Sequence, residues 1–211
     1  MAIVRVMDKE KQMTQKRITP EGIDDAIQKL RFPKPKMSSD EAVKRAVALF
    51  TERPEANHCA PSTVIVLQEA YDLPGGELPS WIATGFQGGV CLGEICGALS
   101  GAVIAMGLMA YKVLEPRTDY EQKIACQALM AYIRDLAYAF NYTFGSIHCS
   151  VLTRRLERTL EEAEIYSRIR LGKDICSRFV EFVVRKMVNW GEVSQEPPPR
   201  VPPGTPPLRL G

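Results

Sequence analysis

Apolar residues recur at helical spacing through most of the chain, and the breaks between these runs fall at proline and glycine. Thr19 fits an N-cap and Pro20 the first position of a helix in which Ile23, Ile27 and Leu30 recur. The sequence PKPK then ends this first predicted helix as a stiff connector.

A second helix is predicted after Ser38, because Ser38 and Glu41 have the spacing of a capping box. It stops before Pro54. Its apolar face consists of Ala42, Val43, Ala46, Val47 and Phe50.

The third apolar run, NHCAPSTVIVLQEAYDLPGG, has two interpretations. Its β-branched stretch from Thr63 to Val66 is also typical of a strand. The run is long before its break at Pro74, and this length favours a helix.

Further helices follow in the second half of the chain. A short one is predicted over ELPSWIATGF, and an apolar one begins near residue 95 after a glycine-rich loop. A long amphipathic helix ends at Gly145, with Ile124, Ala128, Ala131, Leu136 and Phe140 on or near one face. Two more are predicted, one beginning near SIHCSVLTRR and one in KDICSRFVEFVVRKMVNW.

The pattern therefore predicts an all-α fold, a compact bundle of about six to eight helices. Residues 1–36 form an N-terminal extension with one helix, and residues 37–192 form the helical domain. Residues 193–211 form a proline-rich tail. We expect this tail to be disordered or polyproline-like, and a solvated tail is favoured over a ligand for an aromatic groove.

Composition narrows the classes of function. Charged residues make up 25% of the 211 residues and the net charge is +2, so neither nucleic acid nor anionic lipid is an expected partner. The first residues lack the features of a signal peptide, so a cytoplasmic location is expected. The six cysteines would then be thiols at rest, which favours metal binding or redox chemistry over structural disulfides.

The apolar run over residues 95–114 lies at the lower limit of a membrane span. Gly97 and Gly101 within it form a GxxxG pattern. A buried helix of a bundle uses the same small residues so that neighbouring backbones approach, and this interpretation is favoured. No stable membrane insertion is expected.

Four cysteines share a position in these predicted elements. Each falls in, or just ahead of, the first turn of a helix, with Ser146 and Asp174 as caps before the last two: Cys59, Cys96, Cys149 and Cys176. Free backbone N–H groups and the helix dipole stabilise a thiolate there, which predicts lowered thiol pKa values. If the four helix starts converge, they form one sulfur-rich site.

Both histidines directly precede two of these cysteines. His58 and His148 could lower the pKa of the neighbouring thiol or ligate a metal as neutral imidazoles. Adjacent side chains on a helix diverge, however, so a structural role is favoured over ligation. Cys126, in the middle of a helix, is expected to be a small packing residue.

The glycine-rich loop GFQGGVCLGE supplies the remaining candidate residues. No C-x-x-C is present, and neither a phosphate-loop motif nor the C-x-x-C-H of covalent haem occurs. We expect Gly89, Gly93 and Gly97 to let the backbone pass close to a packed site. Cys91 would be a fifth thiol beside that site, which could replace a ligand, act as a resolving cysteine or do nothing. Glu94 could at most assist proton transfer.

The order of these motifs resembles the C_GCAxxG_C_C family of redox-active proteins over residues 40 to about 190. NHCAPSTVIVLQEAY is similar to its first cysteine segment, GFQGGVCLGEICGALSG to its central turn, FGSIHCSVL to its third segment and DICSRFVEFVVRKM to its fourth. The resemblance implies an all-α homodimer with Cys59, Cys96, Cys149 and Cys176 as the recurrent thiols. The domain is also similar to one in split-Soret cytochromes, but the haem attachment motif is lacking here.

Three functions stay open at this point. The four thiolates could hold an iron–sulfur cluster for electron transfer with an unidentified redox partner protein. They could instead perform dithiol/disulfide exchange without a cofactor. They could also hold zinc in a non-redox, metal-binding or structural module. Whether the protein is an enzyme is left undecided.

Overall fold

The computed structural model describes residues 21–22, 33–52, 58–114, 118–153 and 171–193. These ranges contain seven α-helices: α1 (Ser39–Glu52), α2 (Cys59–Tyr71), α3 (Leu78–Thr84), α4 (Gly97–Leu114), α5 (Asp119–Phe144), α6 (Cys149–Thr153) and α7 (Leu171–Val193). A tight turn over residues 88–93, called the glycine turn below, joins α3 to α4. No strand occurs in these ranges, so the predicted all-α fold is confirmed.

Three predicted segments fall largely or wholly outside the described residues: the first helix, the helix near SIHCSVLTRR beyond Thr153, and the proline-rich tail. Only Glu21 and Gly22 of the first predicted helix are described, and both are helical. The proline-rich tail from Ser194 is not described, and the predicted domain boundaries stay predictions.

The helix ends follow the capping chemistry of the sequence. The Ser38 backbone N–H donates to Glu41 Oε2 at 2.9 Å, which completes the predicted capping box before α1. A second box joins Thr118 and Glu121 at the start of α5. Gly145 ends α5 as predicted, with a left-handed φ of 79°.

The core lies where α2, α4 and α7 meet, and α1 and α5 cover it. Val66 and Leu67 of α2, Met106 of α4 and Val183 of α7 are fully buried there. The β-branched stretch of α2 is helical because residues 63, 64 and 66 are all buried against neighbouring helices, and this packing overrides local strand propensity.

A buried hydrogen bond and an aromatic cluster connect α7 to its neighbours. The Tyr71 hydroxyl of α2 donates to the Met187 carbonyl at 2.7 Å. Phe140 and Phe144 of α5 pack against the Phe179 ring of α7, with ring centroids 5.7 and 4.9 Å away. The hydrogen bond fixes α7 against α2, which begins at Cys59, and the aromatic contacts fix it against α5.

The apolar helix α4 is a buried helix of the bundle, as favoured from the sequence. A Cβ at Gly101 would stand 2.5 Å from the Ala60 carbonyl oxygen, so the glycine lets α4 pack directly on the backbone of α2. No helix within the described ranges has the length and apolar character that crossing a membrane requires.

The prediction for Cys126 is wrong. Cys126 lies in the middle of α5 but is exposed. The buried positions near it are Ile124, Ala125 and Ala128, so the core-facing stripe of α5 passes on the other side of the helix.

Candidate functional site

Cys59 is the first residue of α2. The preceding His58 is extended at the N-cap and its side chain makes no capping bond. The Cys59 thiol instead accepts hydrogen bonds from the backbone N–H groups of Ala60 and of Gly88 in the glycine turn. A sulfur atom thus lies among the free donors of the helix start.

Cys96 lies one residue before α4 and is 3% exposed. Its sulfur accepts from the backbone N–H groups of Ala98 and Leu99, in the way an N-cap oxygen does. Two of the four predicted cysteines therefore hold their sulfur on N–H donors at a helix start.

A single β-bridge fastens the third cysteine segment to the central one. Ile95 and His148 form an antiparallel bridge. The Cys96 N–H donates to the Ile147 carbonyl at 2.8 Å, and the Cys149 N–H donates to the Glu94 carbonyl at 2.6 Å. The backbone beside Cys96 is thereby tied to the start of α6, where Cys149 lies.

The four thiols influence one another. The pKa of Cys59 is raised to about 12, chiefly by burial and then by the nearby Cys176 and Cys149, against the lowering effect of the N–H donors. Burial also raises the pKa of Cys96 well above its ordinary value, with contributions from Cys59 and Cys149. Cysteines from α2, α6, α7 and the residue before α4 are therefore close enough to interact.

The predicted lowering of the thiol pKa values is wrong for Cys59 and Cys96. The N–H donors do lower both pKa values, but the loss of water around a buried sulfur has the larger effect. The sequence indicated the donors and gave no measure of the burial.

The predicted first-turn position of Cys176 is also wrong. The last helix begins at Leu171, so Asp174 is in its first turn and not at its cap, and Cys176 lies in the second turn. The predicted cap at Ser146 is also one residue off. Its hydroxyl accepts from the His148 N–H at 3.0 Å, and His148 lies just before α6, so no N–H of the helix itself is capped by this bond. Cys176 reaches the other thiols through the packing of α7 on α2.

The glycine turn has an unusual backbone. Gly88, Gly89, Val90 and Cys91 all have φ between 58° and 65°, which makes one turn of left-handed helix. The turn directs the Gly88 N–H to the Cys59 sulfur. A Cβ at Gly89 would collide with the backbone of Glu94, so the turn closes tightly on itself.

Gly93 contacts the cysteine segment of α6. A Cβ at Gly93 would stand 2.7 Å from the Ser150 Cβ, and the Ser150 hydroxyl donates to the Gly93 carbonyl at 2.9 Å. Gly97 lies against Cys59, since a Cβ added at position 97 would stand 2.5 Å from the Cys59 sulfur. The candidate glycines thus lie where backbones pass closely.

Cys91 and the two histidines have other surroundings. Cys91 is exposed on the turn, whereas the neighbouring Cys96 is buried. His58 is partly buried, and burial lowers its pKa. His148 Nδ1 lies 3.5 Å from Glu94 Oε2, so these two candidate residues pair with each other across the bridge.

A single metal ion needs ligand atoms around one point, with sulfur at about 2.3 Å for zinc. Among the described residues, no three His, Cys, Asp or Glu side chains are arranged to hold such an ion. The Cys59 and Cys96 thiols thus interact with other cysteines, and the described residues do not form a ligand set for a metal ion in this arrangement.

One feature of the site was missed by the sequence analysis. A hydroxyl residue follows three of the cysteines by four positions and donates to the cysteine carbonyl: Thr63 to Cys59 at 2.8 Å, Ser100 to Cys96 at 3.3 Å and Thr153 to Cys149 at 2.6 Å. The repeated spacing C-x-x-x-[ST] would have indicated it.

The model of a family described as "Putative redox-active protein (C_GCAxxG_C_C)" matches residues 57–190. An uncharacterized protein of Archaeoglobus fulgidus is 27% identical over 151 residues, which are 71% of this chain and 95% of that relative. No solved structure matches the chain significantly. The matched range begins just before Cys59 and includes all four cysteine segments.

Proposed function

The chain belongs to the C_GCAxxG_C_C family of redox-active proteins, and from this membership we propose that its redox reaction takes place at Cys59, Cys96, Cys149 and Cys176. One observation carries the proposal. The Cys59 thiol interacts with Cys176 and Cys149, and the Cys96 thiol interacts with Cys59 and Cys149, although the four lie in separate segments.

Electron transfer through an iron–sulfur cluster is the chemistry that the surroundings of the sulfurs support best. Backbone N–H groups of Gly88, Ala98 and Leu99 point at two sulfur atoms and stabilise negative charge there. Cysteine thiolates bound to iron carry such charge, and N–H donors to sulfur tune the reduction potential of clusters. Iron cations would also offset the burial that raises the pKa of the free thiols.

The number and chemical type of these donors match such a group. Four thiolates are the usual ligands of [2Fe–2S] and [4Fe–4S] clusters. Each thiolate binds one of several iron atoms, so the sulfurs stand further apart than around a single zinc ion. When bound, the cluster would supply one-electron transfer, while these residues hold it and exclude water from it.

Dithiol/disulfide exchange is the second candidate. Disulfide formation needs only two sulfurs within reach, and the mutual influence of Cys59 and Cys176 favours this pair. The two thiols would lose two protons and two electrons to an external disulfide, which is reduced to two thiols as the new S–S bond forms.

Purification without oxygen separates the candidates. We expect a brown protein with iron and sulfide, and a cluster that is lost when any one of the four cysteines becomes serine. Cys126→Ser is the matched control, because Cys126 is exposed on α5 and its loss leaves the cluster in place. A colourless, metal-free protein whose thiol count changes by two with reductant would support disulfide exchange, and zinc without redox activity would refute both.

The remaining expectations belong to the same proposal. The protein would act in the cytoplasm as a homodimer and exchange electrons with a separate partner protein. Light scattering on the purified protein measures the dimer, and a mass of 23.5 kDa at all concentrations would contradict it.

A further inference from the structure

Helix α3 buries its small residues and exposes its large ones. Its buried residues are Pro79 and Ala83, and Ala83 packs with Ala60 and Val64 of α2. Its large apolar side chains are exposed: Leu78 by 63%, Trp81 by 70% and Ile82 by 53%. A surface helix of a single folded chain normally has the reverse pattern, because the burial of large apolar side chains stabilises the fold.

These side chains form an apolar patch on one side of α3. Trp81 and Ile82 follow Leu78 by three and four residues, so the three share one face of the helix. The exposed Phe86 extends this face, since Gly85 after the helix keeps helical backbone angles. We call these four residues the α3 patch. They expose on the order of 500 Å² of surface, whereas a standard interface buries about 800 Å² per partner.

The sequence around the α3 patch carries no charge. Residues 78–93 include no Asp, Glu, Lys or Arg, although charged residues make up 25% of the chain. A transient redox partner is steered to its site by opposite charges, and a helix that lies on a lipid surface carries Lys or Arg towards the headgroups. A second copy of this chain instead brings an equally uncharged apolar face, so large side chains become buried on both sides.

We propose that the α3 patch is the interface between two copies of the chain, related by a twofold axis. The same residues then lie on both sides of the contact, and Trp81 is the expected anchor because tryptophan often dominates the energy of an interface. The inference rests on the proposed homodimer and assigns its surface. This surface lies one helix away from the redox site, since Ala83 on the inner side of α3 packs with Ala60, the residue after Cys59.

The test is sedimentation equilibrium of the full-length protein over a range of concentrations. We expect the wild type to have twice the chain mass of 23.5 kDa. Ile82→Glu would place a carboxylate on both sides of the contact, and Trp81→Ala would remove the largest side chain from both. Each variant should have a dissociation constant at least about thirtyfold higher, which corresponds to about 2 kcal/mol. Both positions are exposed in the single chain, so the helical circular dichroism of the variants should equal that of the wild type.

Met130→Glu is the matched control. Met130 is 52% exposed on α5, so this variant adds the same charge at a helical position as exposed as Ile82. We expect it to keep the dissociation constant of the wild type. Equal weakening in Met130→Glu and Ile82→Glu would overturn the inference, because the effect would then be a general response to added charge.

Other outcomes identify a different interface or occupant. If Ile82→Glu and Trp81→Ala were folded and as dimeric as the wild type, the dimer would use another surface. A wild type with the mass of one chain at every concentration would overturn both this inference and the homodimer, whereas the four cysteines are tested separately by purification without oxygen. A monomeric wild type that binds phosphatidylcholine vesicles through Trp81 would show that lipid is the occupant instead.

Discussion

Gly97 lies so close to Cys59 that a Cβ at position 97 would stand 2.5 Å from the Cys59 sulfur. The same atom would stand 2.9 Å from the Phe86 carbonyl oxygen. The glycine at the start of α4 is therefore required by the approach of a thiol and a neighbouring backbone.

Gly97→Ala should destabilise the fold and displace the Cys59 thiol. Overpacking of this kind typically costs about 1–3 kcal/mol, and urea unfolding measures it. Gly107→Ala is the control, because Gly107 lies in the same helix with nothing within 4 Å of a Cβ. Gly107→Ala should raise the free energy of unfolding by about 0.5–1 kcal/mol, because alanine has a higher helix propensity than glycine. If Gly97→Ala and Gly107→Ala changed the free energy of unfolding in the same direction, the approach of Gly97 to Cys59 would not be tight.

Val90→Asn should stabilise the protein. Val90 has a φ of 58° in the left-handed turn, a conformation that is unfavourable for a β-branched residue by about 1–2 kcal/mol and tolerated by asparagine. Its side chain is 50% exposed, so little packing is lost. We expect a gain of about 1 kcal/mol in the free energy of unfolding. Val151→Asn, at an exposed valine in α6, should show no gain, and an equal gain there would contradict the assigned strain.

The sequence predicts the helices well because their ends depend on local chemistry. The capping residue Ser38 and the terminal Gly145 act within a few positions of themselves, so their roles were predicted from the chain alone. The box at Thr118 is equally local but was not predicted. The start of α7 had no such marker, and it was placed too late. Cys176 consequently lies one turn further into its helix than expected.

The N–H donors at Cys59 and Cys96 were predictable from the sequence, whereas the pKa values of these two thiols were not. The spacing of Cys59 and Cys96 from helix starts indicated the N–H donors that the structure shows. Burial acts in the opposite direction and depends on how α2 and α4 pack, which is a property of the folded chain. The left-handed turn at Val90 and Cys91 was not predicted either, because neither residue type favours a positive φ.

Alkylation should distinguish the thiols of the reduced, metal-free protein at neutral pH. Cys91 and Cys126 are exposed, whereas burial raises the pKa of Cys59 and Cys96 and leaves them protonated. Because the thiolate is the reactive form, we expect the exposed pair to react at least about tenfold faster. Timed labelling with peptide mapping measures the order. In denaturant the difference should vanish, and equal rates in the folded protein would contradict the burial of Cys59 and Cys96.

The raised pKa of Cys59 also predicts how stability depends on pH in the reduced, metal-free protein. In the unfolded chain the thiol ionises near its ordinary value of 9.0, and in the folded protein only near about 12. The folded state therefore holds the proton more tightly, and the stability from this group is fully present below pH 9 and is lost as the pH rises towards 12.

Lysines and tyrosines titrate in the same pH range, so the effect of Cys59 has to be measured as a difference in stability between two proteins. Urea unfolding of the wild type and of Cys59→Ser at a series of pH values cancels the groups that the two proteins share. The stability of the wild type relative to the variant should be constant up to pH 9 and then fall steadily. A constant difference up to pH 12 would mean that the Cys59 thiol ionises as readily in the folded protein as in the unfolded chain, which would contradict its burial beside Cys149 and Cys176.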